Sequence, residues 1–257
     1  QQDGAMAQFA AHERDILAFF EAGNLDKDGH TYLAFHLRRF VVLLERVDAC
    51  AARRPHDAPV RRILDIGPGP LTAFLRGRHP EVTIDSLGFA DARYPCRPRD
   101  THIAFDLLRS VDPSAWPNPE PYDIVLMTEV LEHLAVDPLC VLACVRPLVA
   151  ARGRLVLQTP NACSLPKRLR MVRGHNPFEM IRPPGAGAGH VREYTRREMH
   201  AIFARSGFRV VAEHVENYFR RNTWSDRCFR LVGGLLPATW RNGMTFVAAR
   251  AEAGAPH

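Results

Sequence analysis

From about residue 60 onwards, short apolar runs alternate with stretches of helical periodicity, and this alternation constrains the fold more than any other feature. The runs lie at residues 62–66, 82–86, 102–105, 122–127, 154–159, 208–214 and 244–250. Continuous apolar strands separated by helices are typical of a largely parallel sheet that helices cover on both faces. A chain of 257 residues can bury the core of such a sheet. We therefore expect an α/β fold built on seven strands.

The chain outside these runs divides into a cap, a lid and an insert. Two amphipathic stretches precede the first run and predict an N-terminal helical cap over residues 1–58, with residues 59–257 forming the main domain. Residues 161–190 are rich in Pro, Gly and Arg and follow a strand that should end at a ligand-binding edge, so we interpret them as a lid. Residues 217–242 form a C-terminal insert between the last two runs.

Composition excludes several classes of protein. With 46% hydrophobic and 24% charged residues the chain is ordinary for a globular domain, and we expect neither a transmembrane helix nor a signal peptide. Six scattered cysteines without a C-x-x-C motif argue against a zinc ribbon or disulfide scaffold and favour a cytoplasmic setting. The net charge of +6 is concentrated in residues 163–182 and 217–250. Such a basic rim attracts anionic substrates or nucleic acid, or is simply a solvated surface.

A glycine loop joins the first apolar run to a helix. The run ends in Asp65-x-Gly67-x-Gly69, where glycines let a ligand approach the backbone and the helix N-terminus offers free N–H groups. Asp85, about 20 residues further on, ends the next run and could accept both hydroxyls of a ribose. A dinucleotide fingerprint needs glycine where Thr72 stands, which disfavours a dehydrogenase. Asp65 instead indicates a cationic ligand group such as an ammonium, and a tight turn without ligand is the alternative.

In this order and spacing, these residues resemble the S-adenosylmethionine (SAM) loop of class I methyltransferases. Residues 106–107, 122–125 and 153–156 resemble later motifs of the same family, and the likeness extends from about residue 61 to residue 208 and beyond. The resemblance implies a Rossmann-like seven-stranded methyltransferase sheet, mostly parallel with an antiparallel last strand. It also implies SAM as the cofactor.

The resemblance assigns roles to individual residues. The loop 65–69 would hold the methionine portion of SAM, and Asp85 would bind the ribose hydroxyls. Asp106 and Leu107 would flank the adenine, although Asp106 could equally be a helix N-cap. Thr128 would lie near the methionine portion or the transferred methyl group.

Acidic and imidazole side chains follow the fourth run. On a helix, Glu129, Glu132 and His133 would share one face, and two carboxylates there need a cation or hydrogen-bond donors. A later His190, at the end of the lid, lies in a stretch that closes over the site in many similar methyltransferases. His133 and His190 are therefore the candidate catalytic residues, with His133 as the base if no metal is present.

The same four residues predict a conditional metal site. E-x-x-E-H with a later histidine resembles two metal-using branches, the ubiquinone-pathway O-methyltransferases and the small-RNA 2′-O-methyltransferases. That resemblance implies Mg²⁺ or another divalent cation held by Glu129, Glu132, His133 and His190. The same motif also occurs widely in relatives with no demonstrated metal. A metal that chelates neighbouring hydroxyls lowers the pKa of the attacking one.

The predicted function is SAM-dependent O-methylation of a hydroxyl on a sugar or natural-product small molecule. Apolar residues and arginines in the lid and insert suit a medium-sized, partly polar acceptor. Two alternatives stay open: an RNA ribose 2′-O-methyltransferase and a SAM-binding partner subunit without catalysis. Nucleic acid is disfavoured because no RNA-binding module is visible and the charge is modest. The oligomeric state, including a homodimer, is open.

Overall fold

The structure, a computed structural model, describes residues 2–23, 27–55, 58–90, 95–182, 189–219 and 237–251. Its strands are β1 (Arg62–Ile66), β2 (Thr83–Gly88), β3 (His102–Ala104), β4 (Tyr122–Thr128), β5 (Val149–Pro160), β6 (Phe208–Glu216) and β7 (Gly243–Arg250). Its α-helices are α1 (Gln2–Ala22), α2 (Lys27–Ala52), α3 (Pro70–Arg78), α4 (Pro138–Val145), α5 (Leu165–Val172) and α6 (Arg196–Arg205). Among the short 3-10 turns are Leu107–Val111 and Leu131–His133.

The strands form one sheet in the order β3-β2-β1-β4-β5-β7-β6. β7 pairs antiparallel with both β5 and β6, and the other pairs are parallel. The predicted α/β fold with a seven-stranded, mostly parallel sheet and an antiparallel last strand is confirmed. Three predicted strand ends were wrong by two residues or more, since β2 runs on to Gly88, β5 begins at Val149 and β6 runs on to Glu216.

Helices cover both faces of the sheet, and each face has its own hydrophobic cluster. On β1, Leu64 packs in the cluster that includes residues of α4 and α6, whereas Ile63 packs with residues of α1, α2 and α3. Val125 and Ile124 of β4 divide in the same way. Burial of each such side chain contributes about 1.5–3 kcal/mol to folding. Because neighbouring side chains of a strand point to opposite faces, each of these strands packs against the helices on both sides of the sheet.

The helices expected for the cap are α1 and α2, which pack against each other. α2 also packs on β5 and β7 and shares a hydrophobic cluster with β1. The predicted division at residue 58 stays a prediction. No helix in the described ranges carries an apolar stretch long enough to cross a bilayer.

The carboxyl ends of the parallel strands meet at one edge of the sheet, and the predicted lid follows β5 there. α5 lies within the lid 161–190, of which residues 183–188 lie outside the described residues. Residues 220–236 of the predicted insert 217–242 lie outside them as well.

Candidate active site

A cleft of about 1810 Å³ opens at the carboxyl edge of the sheet. Its walls come from the cap helix α2, the glycine loop after β1, the end of β4 and the lid. Of the residues predicted for the site, those that line it are Asp65, Gly67, Gly69, Thr128, Glu129, His133 and His190. The fold therefore brings most of the predicted site together at the edge where open α/β sheets bind ligands.

The glycine loop has the backbone geometry that its sequence predicted. Gly67 has a φ of +74°, and a Cβ there would lie 2.5 Å from Cγ2 of Val130. Gly69 is the N-cap of α3, and Pro70 occupies the first helical position. At Gly67 a side chain would meet both backbone strain and a steric clash, so glycine is required.

Thr72 positions the acidic residue of this loop. Its hydroxyl donates a hydrogen bond to Oδ2 of Asp65 at 2.6 Å and accepts one from the backbone N–H of Gly69 at 2.9 Å. In the sequence, Thr72 served only to disfavour a dinucleotide site. Its role as a donor to Asp65 was missed, although the spacing of seven residues across a strand-to-helix turn was visible.

Asp65 is a buried carboxylate that faces the cleft. Burial raises its pKa to about 6, while the Thr72 hydroxyl and the charges of Arg76 and Arg39 oppose that rise. A carboxylate that has lost its water is stabilised by a cation placed beside it. The geometry therefore suits the ammonium that the sequence suggested.

Asp85 lies elsewhere. It occupies the third position of β2 rather than its end, and the strand runs on to Gly88. Its carboxylate accepts hydrogen bonds from Arg62 (3.1 Å), the Tyr122 hydroxyl (2.9 Å) and the backbone N–H of Thr101 (2.7 Å). It does not line the cleft. The expectation that Asp85 ends its strand was wrong. Its carboxylate already has three internal donors, and its role at the ribose stays a prediction.

The two residues expected beside the adenine also lie outside the lining of the cleft. Asp106 caps the 3-10 turn Leu107–Val111 by accepting a hydrogen bond from the backbone N–H of Leu108 at 2.9 Å. Leu107 is buried in the core. The N-cap role that the sequence left as an alternative is the one that the structure shows for Asp106.

The acid–histidine motif is not helical as expected. Glu129 has a φ of 56°, in the left-handed region, and a single 3-10 turn, Leu131–His133, follows it. A left-handed residue directly after β4 redirects the chain, so the helical face proposed from the sequence does not form. The predicted helix was wrong, yet the turn still brings the side chains of Glu129 and Glu132 together.

The carboxyl groups of Glu129 and Glu132 are buried, and their charges act on each other. Burial raises the pKa of both, and the charge of Glu129 raises that of Glu132 further. The Thr159 hydroxyl donates to Oε2 of Glu132 at 3.1 Å. Oε1 of each residue has no hydrogen-bond partner among the described residues. A shared proton or a cation would satisfy the two orphaned oxygens.

The two candidate catalytic histidines lie against each other. Their ring centroids are 4.9 Å apart at 73°, and both line the cleft. Nδ1 of His133 lies 2.9 Å from the carbonyl oxygen of Gly189. Because a carbonyl only accepts, Nδ1 carries a proton, and the neutral form of this ring would have its lone pair on Nε2. His133 is therefore held in the tautomer that a base needs.

The lid is tied to this turn. Backbone N–H groups of Val191 and Arg192 donate to the carbonyl of Glu132, at 2.8 and 3.1 Å. Nδ1 of His190 lies 3.0 Å from Oε1 of Glu193. Burial, together with the adjacent His133, lowers the pKa of His190 to about 4. His190 is therefore neutral at physiological pH.

Three of the four predicted metal ligands converge. Glu132, His133 and His190 each offer a ligand atom, and these atoms lie within 4.8 Å of one another. Glu129 is not in this group. One carboxylate oxygen and two imidazole nitrogens suit Mn²⁺, Fe²⁺ or Zn²⁺ better than Mg²⁺, which prefers oxygen ligands. The orphaned Oε1 of Glu132 is consistent with such an ion.

Arg39 of the cap is a further polar residue on the cleft. It is only 3% exposed, and Nη1 has no hydrogen-bond partner among the described residues. Its Nε donates to Nδ1 of His36 at 3.2 Å, and burial with the Arg39 charge lowers the pKa of His36 to about 3. The sequence interpretation missed Arg39. The available signal was its place four residues before Leu43 and eight before Val47, on the buried stripe of α2.

Comparisons with known proteins agree with this geometry. A family profile described as a methyltransferase domain matches residues 35–213, more than half of the chain. No curated protein sequence matches significantly. A SAM-dependent methyltransferase structure from Archaeoglobus fulgidus aligns with a TM-score of 0.53 at 16% identity, over 87% of this chain and 99% of that one. The complex of the Haloferax volcanii Trm112 methyltransferase activator with a methyltransferase aligns with a TM-score of 0.53 at 13% identity, over 82% and 90%.

The sheet order, the glycine loop at its carboxyl edge and the cleft that this loop lines define a Rossmann-like protein of the methyltransferase class. At these identities the structural likeness shows the fold alone. The matching profile shows the family: the chain belongs to the methyltransferase-domain family.

Proposed function

We propose that the protein uses SAM to methylate a hydroxyl group of a small molecule, such as a sugar or a natural product. The observation that carries this proposal is the pairing of a desolvated carboxylate, Asp65, with a tautomer-fixed histidine, His133, in one cleft. The cleft of about 1810 Å³ exceeds the roughly 300–1,000 Å³ of a typical drug-sized site, which leaves room for a cofactor and an acceptor together.

Charges at the cap side of the cleft complement the amino-acid end of SAM. Asp65 offers a buried anion for the ammonium, and Arg39 offers an unpaired Nη1 for the carboxylate. Arg39 lies close enough to Asp65 to lower the pKa of its carboxyl group. A zwitterion bound between them would neutralise both desolvated groups at once.

The reaction is a displacement at carbon. The acceptor oxygen attacks the methyl carbon, the carbon–sulfur bond breaks, and its electron pair leaves on sulfur as a neutral thioether. The acceptor proton passes to Nε2 of His133, which the Gly189 carbonyl keeps available through Nδ1. Because the sulfonium is already activated, alignment of donor and acceptor in the cleft supplies much of the catalysis.

A divalent metal is the alternative to His133 as the base, because Nε2 cannot accept a proton and hold an ion at the same time. Glu132, His133 and His190 would hold it. When bound, such an ion lowers the pKa of a coordinated hydroxyl. Neutral His190 would bind it without first losing a proton.

The lid side of the cleft indicates the kind of acceptor. Its lining combines apolar side chains with basic ones: Leu165, Leu169, Phe178, Lys167, Arg170 and Arg173. This mixture favours a partly apolar molecule with polar or negatively charged substituents over a purely hydrophobic one.

Measurements of cofactor binding and of methyl transfer test the proposal separately. Calorimetry should show that SAM binds and that NAD⁺ does not, because Thr72 replaces the glycine of a dinucleotide loop. Incubation with methyl-labelled SAM and a panel of hydroxylated sugars and natural products should then place the label on an acceptor oxygen. Label that appears only on RNA, or SAM that fails to bind, would contradict the proposal.

A further inference from the structure

A second cavity, of about 400 Å³, lies at the opposite edge of the sheet from the cleft. Its walls are the C-terminal part of α2, the beginnings of β4, β5 and β6, and the end of β7. Seven arginines line it: Arg46, Arg53, Arg54, Arg152, Arg154, Arg209 and Arg250. We call it the arginine cavity. Asp123 is the one acidic residue among its described lining residues.

This single acidic residue, Asp123, already has partners within the protein. Asp123 forms an ion pair with Nη2 of Arg54 at 2.7 Å and accepts hydrogen bonds from the backbone N–H groups of Arg61 and Arg62. It therefore neutralises one guanidinium and has little capacity for another. The described lining residues keep a net charge of +6.

The other guanidinium groups lack acidic partners in the cavity. Arg154 and Arg250 donate to backbone carbonyls. For the side chains of Arg53, Arg152 and Arg209, the described part of the chain supplies neither a hydrogen bond nor an ion pair. These donors are available to a ligand.

Two buried arginine donors also indicate that the cavity can accept an anion. Nε of Arg46 and Nη1 of Arg54 are buried without a hydrogen-bond partner among the described residues. Among the described residues Arg46 forms an ion pair with Glu45, at 3.7 Å, and Glu45 does not line the cavity. A buried guanidinium donor without an acceptor is unfavourable, and an anion in the cavity would relieve it.

The guanidinium groups converge from distant parts of the chain. Cys50 lines the same cavity, and burial raises the pKa of its thiol while the charges of Arg154, Arg53 and Arg46 oppose that rise. One of these arginines is on β5 and one on α2, about a hundred residues apart in sequence, so the fold itself assembles the charge.

We propose that the arginine cavity binds a compact polyanion that carries two or more phosphate groups. Planar guanidinium groups bind phosphate through paired hydrogen bonds. One phosphate carries a charge of about −2, too little for a lining of +6, so a diphosphate or larger anion matches better. A volume of about 400 Å³ falls in the range of small-molecule sites, roughly 300–1,000 Å³, which favours a small ligand over a polymer.

Calorimetric titration of the full chain tests this site. The probes are inorganic phosphate, pyrophosphate and ADP, each at about 50 and 200 mM salt. Pyrophosphate or ADP should bind at least about tenfold more tightly than phosphate, and the preference for one of them tells a bare diphosphate from a nucleotide. Equal affinity for phosphate and pyrophosphate, or no binding of either at millimolar concentration, would overturn the proposal.

Two double variants separate a site from general charge. Arg46→Gln with Arg154→Gln should weaken pyrophosphate binding at least about tenfold, because both guanidinium forks are lost. The control, Arg14→Gln with Arg197→Gln, removes the same charge from exposed positions of α1 and α6 and should change affinity less than about twofold. Equal losses in the two variants would refute the site.

A third variant tests the site even if Arg46→Gln with Arg154→Gln fails to fold. Arg46→Lys with Arg154→Lys keeps the charge and removes the bidentate geometry, and it should weaken pyrophosphate binding about threefold or more. Unchanged affinity in that variant would contradict the proposed guanidinium contacts. SAM binding at the opposite edge of the sheet should be unaffected in every variant, so this test is independent of the proposed methyl transfer.

Discussion

The hydroxyl of Thr72 donates a 2.6 Å hydrogen bond to the carboxylate of Asp65. The donor lies in the first turn of α3 and the acceptor in β1, so this bond ties the loop between them to both elements. It also occupies one carboxylate oxygen and leaves the other for the cleft. The loop is therefore arranged around the carboxylate of Asp65 and not around a bound pyrophosphate.

Replacement of Thr72 by valine tests this arrangement. Thr72→Val keeps the shape and removes the donor, so the anionic form of Asp65 loses a hydrogen bond worth about 1.5–3 kcal/mol. SAM affinity, measured by calorimetry at pH 8, should fall roughly tenfold or more. Thr72→Ser retains the hydroxyl and should bind SAM within about threefold of the wild type. If valine binds SAM as tightly as serine, the bond does not position the ligand group.

Asp65 should also destabilise the protein when no cofactor is bound. Its pKa is raised from 3.8 to about 6, so between these values the folded state binds more protons than the unfolded state. Stability is therefore lost as pH rises from about 4 to about 6. Asp65→Asn should stabilise the free protein by up to about 3 kcal/mol at pH 8 and by little at pH 4.

Urea unfolding at the two pH values measures this difference. The same variant should bind SAM much more weakly, because the amide carries no charge for the ammonium. A stability gain that is equal at both pH values would show that burial of the Asp65 charge is not its cause.

The sheet and the glycine loop were predictable because their signals are local. Apolar runs with helical stretches between them define a parallel sheet. Position 67 requires glycine because of the backbone angle and the close contact within its own loop. The ends of strands were less predictable. β2 continues past Asp85 because Ser86, Leu87 and Gly88 pair with β3, a contact that depends on residues 102–104.

The acid–histidine site was predicted for the wrong geometric reason. Spacing alone placed Glu129, Glu132 and His133 on a helix, whereas the chain takes a left-handed residue and one 3-10 turn. Glu132 and His133 still meet, together with His190, because the turn is tight and the lid backbone closes on the Glu132 carbonyl. Arg39 was missed because its significance depends on helix α2 lying over the carboxyl edge of the sheet.

His133 should be needed for turnover but not for cofactor binding. Its Nε2 is the proposed proton acceptor, and Nδ1 is bonded to Gly189. His133→Ala should lower kcat by about 10²–10⁴-fold, the usual range for loss of a general base. SAM affinity should stay within about threefold, as calorimetry would show. A variant that retains full kcat would exclude both the base and the metal role of this residue.

The three-ligand group should prefer a transition metal. Titration of metal-free protein with Mn²⁺ should show one tight site and a weaker response to Mg²⁺, because two of the three ligands are imidazoles. His190→Gln should weaken Mn²⁺ binding at least about tenfold, whereas His200→Gln, on the exposed side of α6, should not. Full activity after a chelator has removed the bound metal would exclude the ion from the mechanism.

Asp85 should stabilise the fold rather than bind the cofactor. Its buried carboxylate is bonded to Arg62, Tyr122 and Thr101, and it does not line the cleft. Asp85→Ala should therefore lower the free energy of unfolding by roughly 3 kcal/mol, since it leaves the Tyr122 hydroxyl and the Arg62 guanidinium without their acceptor. SAM affinity of the folded fraction, measured below the melting transition, should be unchanged within about threefold. A large loss of SAM affinity at full stability would instead return Asp85 to the ribose role that its sequence position first suggested.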